Sequence, residues 1–132
     1  MNGLHLIADL HDCRCPEDFL HDASALESFS VDACQRHALT VVGRLFHAFC
    51  AANGEPAGVT GTVVLAESHL AIHTWPELSS VTLDVYVCNF SGDHSQQAHA
   101  LFNDMIDRFR PTRIEQTAVQ RGQLDPDKEI LP

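Results

Sequence analysis

Apolar and polar positions along this chain recur with two different periods, and the switches between them divide it into elements. "GLHLIADLHDC" (Gly3 to Cys13) alternates in part, which predicts a first strand. Leu26, Phe29, Ala33, Cys34 and His37 recur at spacings of three and four, the mark of an amphipathic helix. "TVVGRLFHAF" (Thr40 to Phe49) is β-branched and aromatic and predicts a second strand. "CAANGEPAG" carries Asn-Gly and Pro-Ala-Gly turn signals. "VTGTVVLA" and "HLAIHTW" then form a strand pair or one long bent strand, halted by Pro76. "VTLDVYVC" (Val81 to Cys88) alternates as a further strand. A second helix places Ala98, Leu101, Phe102, Met105, Ile106 and Phe109 on one side. "TRIEQTAVQ" predicts a final edge strand, and the tail "LDPDKEILP" is expected to be loose.

The order βαβββαβ predicts an α+β fold: a two-layer sandwich with a mainly antiparallel sheet and two helices on one face. The other sheet face then needs a cover, and a second subunit would supply one if its residues are apolar. At 132 residues the chain is expected to be a single domain, 1–132, with no repeat or linker.

Composition narrows the partners. A formal net charge of −10 argues against nucleic acid, whose phosphates require a basic surface. No apolar run has the length of a membrane span, and "MNGLHLIADLHD" lacks the basic start of a signal peptide. Five cysteines without regular spacing point to free thiols in a reducing, cytoplasmic setting. Cys13-Arg-Cys15 lacks the second cysteine pair of a structural metal site, and no metal is expected.

The stretch "TVVLAESHLAIHTWPE" (Thr62 to Glu77) is the anomaly. A β-rich run should not place Glu67, Ser68 and His69 at its centre, because a buried carboxylate is costly unless paired. His69 and His73 stand four apart, but on a strand they share a face with Ala71 and Trp75, and the zinc-protease pattern is absent. Ser68 lacks the Gly-x-Ser-x-Gly elbow of a hydrolase.

"ESHLAIHTWPE" resembles the processing-site signature of the prokaryotic S-adenosylmethionine decarboxylases, pyruvoyl-dependent enzymes of polyamine synthesis. "LHLIADLHDC", "LFHAF", "GVTGTVVLAES" and "LDVYVC" extend the resemblance, which thins after Cys88 to a helix-strand pattern and the pair Arg121-Gly122. The resemblance implies that Ser68 is a cofactor precursor. Its hydroxyl would attack the Glu67 carbonyl, His73 would assist, and the chain would divide into 1–67 and 68–132, the second piece beginning with a pyruvoyl group. It further implies that Cys88 protonates the product carbon, that Phe49 stacks on adenine, that Glu77 holds the ribose hydroxyls and that Thr60 supports processing. The partners implied are a small-molecule substrate and a second protomer, in an (αβ)2 dimer with sites involving both.

One independent consideration agrees. Loss of CO2 from an α-amino acid needs an electron sink, and pyridoxal enzymes anchor theirs on a lysine. The only lysine here is Lys128, in the polar tail, so no pyridoxal phosphate is expected. Three departures fall where substrate is shaped: "LSSVT" (Leu78 to Thr82) after the signature, Asn89 in place of a common glycine, and the longer loop from Cys50 to Glu55. They leave open a pyruvoyl-dependent decarboxylase of ornithine or arginine on the same scaffold, or a non-catalytic homologue acting as a binding partner.

Overall fold

The computed structural model describes residues 2–124; the tail from 125 onward, with Lys128, lies outside the described residues. Six strands form one sheet: β1 (Gly3–Cys13), β2 (Val41–Cys50), β3 (Pro56–Leu65), β4 (Ser68–Trp75), β5 (Ser80–Cys88) and β6 (Pro111–Arg121). Their order is β2-β3-β4-β5-β1-β6, and each neighbouring pair is antiparallel. Helices α1 (Glu17–Leu20), α2 (Ala23–Arg36) and α3 (Ser95–Phe109) complete the fold, with a 3-10 turn at Pro76–Leu78. The expected α+β sandwich is present, with β6 on the edge as expected; the short α1 is an addition.

Alternation decides what lies on each face. Leu6, Ala8 and Leu10 of β1, Leu70 and Ile72 of β4, and Val81 to Val87 at every second position of β5 are buried beneath the helices. α2 packs over β2 and β3, and α3 over β1 and β5. The Asp22 side chain accepts from the Ala25 N–H at 3.0 Å and starts α2, the usual work of an N-cap carboxylate. α3 stops where Arg110 turns left-handed before Pro111.

Of the two expectations for "VTGTVVLA" and "HLAIHTW", a strand pair or one long bent strand, the structure shows the pair, as a β3-β4 hairpin. Leu65 pairs with Ser68, leaving Ala66 and Glu67 to reverse the chain. Glu67 is exposed there, so no buried carboxylate has to be explained. At the far end of the hairpin Thr74 is buried at 4% exposure and links three segments. Its hydroxyl donates to the Leu20 carbonyl (2.5 Å) and accepts from the Val59 N–H (2.8 Å).

Thr74→Val keeps the shape but leaves a buried donor and a buried acceptor unpaired. It should lower stability by about 2–4 kcal/mol, at roughly 1–3 kcal/mol per unsatisfied group, whereas Thr74→Ser should stay near wild type. Urea unfolding midpoints of the three proteins check this.

Candidate functional site

The candidate residues gather at two separate ends of the sheet. At one end is the Ala66-Glu67 turn. Glu67 has φ +63°, a left-handed conformation that a non-glycine residue adopts under strain of about 1–3 kcal/mol. Positive φ at the second residue only is the pattern of a type II turn, where glycine is the usual occupant. The Cys88 N–H donates to the Glu67 carbonyl oxygen at 3.2 Å, so the end of β5 fixes this carbonyl. Ser68 follows, 8% exposed, and its Oγ is buried without a hydrogen-bond partner. The Cys88 thiol is half-buried on the open face.

The second end is a cleft of about 300 Å3 lined by Phe49, Gly58, Thr60, His73, Trp75 and Glu77 among others. Thr60 and His73 are register partners across β3 and β4, which brings Thr60 Oγ1 to 3.2 Å from His73 Nδ1. Phe49 is 47% exposed, and its ring meets the edge of His47 at 4.6 Å between centroids. Glu77 is exposed in the 3-10 turn after Trp75. Gly58 cannot be enlarged, because a side chain would run into the Thr74 carbonyl that forms the cleft floor.

The fold thus joins Phe49, Thr60, His73 and Glu77 in one place and Glu67, Ser68 and Cys88 in another. It does not bring the two groups together within a chain. Ser68 and His73 are five residues apart on β4, about 16 Å at the rise of an extended strand. An odd spacing also turns their side chains to opposite faces, Ser68 toward the helices and His73 into the open.

Between the ends lies a polar group that the motif reading left unassigned. His5, His69 and Asp84 present ligand-type atoms within 4.8 Å of one another, the only such trio among the described residues. The Arg121 guanidinium can only donate, and it approaches His5 Nδ1 at 3.0 Å. That nitrogen must therefore accept, which puts the ring proton on Nε2, facing Asp84 Oδ2 at 3.5 Å. His69 Nε2 faces the other carboxylate oxygen at 3.3 Å. Both approaches to the carboxylate are ion-pair distances, and neither His5 Nε2 nor Asp84 Oδ1 makes a hydrogen bond. Burial pushes the Asp84 carboxyl up, but the polar approach and charge of His69 and His5 outweigh it and hold it below the usual range. Tyr86 packs edge-on to His5 and at a tilt against His69, under Arg121, and burial, with the Cys88 thiol beside it, raises its phenol. Cys13 and Cys15 are buried free thiols, Cys13 pushed up to about 11 by burial, Cys15 and Asp12.

Comparison with known proteins gives a consistent picture. Residues 4–122 match the family model described as S-adenosylmethionine decarboxylase. An S-adenosylmethionine decarboxylase proenzyme of Syntrophomonas wolfei is 35% identical over 98% of this chain and 94% of its own. One of Picrophilus torridus is 36% identical over 97% and 91%. The crystal structure of the adenosylmethionine decarboxylase from Aquifex aeolicus superposes with a TM-score of 0.79 at 30% identity, covering 97% of both chains.

Because the folded Asp84 carboxyl titrates below its unfolded value, its contribution to stability is complete above that value and is lost as pH falls through the folded one. The stability advantage of wild type over Asp84→Asn should therefore shrink between about pH 5 and pH 3. Urea unfolding of both proteins across that window checks the sign.

Proposed function

The chain belongs to the S-adenosylmethionine decarboxylase family, and from that premise we propose that its precursor cuts itself between Glu67 and Ser68 and that the processed enzyme removes CO2 from S-adenosylmethionine. The product is the aminopropyl donor for spermidine. The observation that carries the proposal is the turn: a strained, non-glycine Glu67 whose carbonyl is already hydrogen-bonded, followed by a buried serine hydroxyl with no other partner.

Attack of Ser68 Oγ on the Glu67 carbonyl carbon closes a five-membered ring and moves an electron pair onto the carbonyl oxygen. The Cys88 N–H points at that oxygen and stabilises the charge as it develops. Collapse breaks the C–N bond, leaving an ester and a free amine on residue 68. β-Elimination then releases Glu67 as a new C-terminal carboxylate, and addition of water to residue 68 with loss of ammonia leaves a pyruvoyl group. The residues present fit that group, because its atoms come from Ser68 itself and the strain at Glu67 favours the break. When formed, it supplies the electron sink for decarboxylation without a lysine. The thiol of Cys88, whose own N–H meets the Glu67 carbonyl, delivers the proton to the product carbon.

His73 and Thr60 act on this chemistry from a second copy. A single chain holds them about 16 Å from Ser68, and the uncovered sheet face exposes Ile7, Val64 and Trp75, apolar side chains that a partner would bury. A copy laid face to face with its strands reversed sets the His73 end of one protomer over the Ser68 end of the other. The dimer then has two sites, and after cleavage is (αβ)2. In each, the Phe49 ring offers a stacking surface for adenine and the Glu77 carboxylate an acceptor for the ribose hydroxyls.

Intact mass should show wild type as two fragments, each roughly half of 14.5 kDa. Ser68→Ala and His73→Ala should each remain one chain. Coexpressed, the His73→Ala chains should be cut, because their Ser68→Ala partners supply the missing histidine. Mixtures that stay whole, or a His73→Ala protein that cuts itself at the wild-type rate, would sink the shared site.

Substrate choice has its own measurement. Phe49→Ala should reduce turnover of S-adenosylmethionine by about 1–2 kcal/mol, roughly ten-fold, since stacking on a base is worth that much. CO2 release from ornithine or arginine should be far slower throughout. Faster release from either amino acid would replace the nucleoside with a basic amino acid as the substrate.

A further inference from the structure

The loop after β5 grips Glu67 a second time, by its side chain. Glu67 Oε2 accepts from the Ser91 hydroxyl at 3.1 Å and from the Ser91 backbone N–H at 3.4 Å. The same hydroxyl oxygen lies 3.5 Å from His94 Nε2. An ionised carboxylate only accepts, so Ser91 must give its one proton to Glu67. His94 must then donate to Ser91 from Nε2, and its Nδ1 is buried without a hydrogen-bond partner. A serine flanked on one side by an acceptor and on the other by a donor is not an activated nucleophile. It is a link in a directed chain.

The chain is anchored where catalysis needs rigidity. Asn89 Oδ1 accepts from the His94 N–H at 2.9 Å, and Asn89 Nδ2 donates to Ser95 Oγ at 3.2 Å. Asn89 in turn follows Cys88, whose N–H holds the Glu67 carbonyl. The segment 88–94 therefore holds the scissile residue at both its carbonyl and its carboxylate. A left-handed glutamate persists only where its surroundings over-determine it. At this turn the Ala66 N–H also donates to the Thr40 carbonyl at 2.9 Å, while the contacts to Glu67 itself come from segment 88–94.

We propose that Ser91 is a positioning residue for self-cleavage: by fixing the Glu67 carboxylate it keeps Glu67 left-handed and its carbonyl in place for Ser68. The inference rests on the self-cleavage reading above. It also gives Asn89, which stands where the family commonly has glycine, a role in steadying the clamp.

The experiment follows precursor loss by intact mass after rapid purification. Ser91→Ala should slow cleavage roughly three- to ten-fold, the scale for losing one exposed hydrogen bond of ordinary net strength. Ser91→Thr, which keeps both donors, should restore the wild-type rate. Glu67→Ala should be slow to the same degree, and Ser91→Ala combined with Glu67→Ala should be no slower than either alone, because one interaction is lost only once. Multiplicative effects, or a Ser91→Ala precursor that cleaves at the wild-type rate, overturn the clamp while leaving self-cleavage intact. A wild-type chain that never cleaves overturns both. Ser91 is exposed, and matching urea midpoints for Ser91→Ala and wild type will separate slow chemistry from unfolding.

Discussion

Side chains on an extended strand alternate between faces, and most of this molecule follows from that constraint. Four strands, β1, β3, β4 and β5, spend one set of alternate positions on a core under α2 and α3. The other set is left to a face with no helix over it, and there the histidines, Asp84, Tyr86, Cys88 and Trp75 collect. The same rule separates Ser68 from His73. Both belong to one eight-residue strand, and their odd spacing sends them to opposite sides at opposite ends. A motif that is contiguous in sequence is thus divided in space, and a reaction that needs both residues calls for two chains.

The bond proposed to break sits where the opposite property holds, a place where alternation stops. Pairing Leu65 with Ser68 allows only two residues for the reversal, and one of them is a glutamate in a conformation suited to glycine. Strain alone would relax by flattening the turn. What prevents this is the neighbouring strand end, where the Cys88 N–H and Ser91 hold the carbonyl and the carboxylate. The residue proposed to protonate product is therefore also the residue whose backbone steadies the bond to be broken. Processing and turnover share one scaffold.

Behind these contacts, Arg121 fixes the tautomer of His5, and His5 and His69 hold Asp84 ionised from two sides. Tyr86 fits among them because Gly3 and Gly122 have no side chains; a Cβ at either would come within 3 Å of its hydroxyl.

The sequence alone determined the parts that local physics controls. Period-two and period-3.6 patterns set the strands, the two long helices and the edge position of β6, because burial of one face is legible in each short window. The signature around Ser68 named the chemistry. Its setting was not legible: Glu67 looked like a carboxylate inside a strand and is an exposed turn residue, because register, not composition, decides where a hairpin reverses. Ser91 and His94 carry no local signal, and Arg121 none beyond its place in an Arg-Gly pair, since a serine in a polar loop or an arginine on an edge strand is ordinary until tertiary pairing brings it against Glu67 or His5. Hydrogen bonds between residues 24 or 116 positions apart arise only when the sheet has ordered its strands β2-β3-β4-β5-β1-β6, and that order was decided by packing in three dimensions.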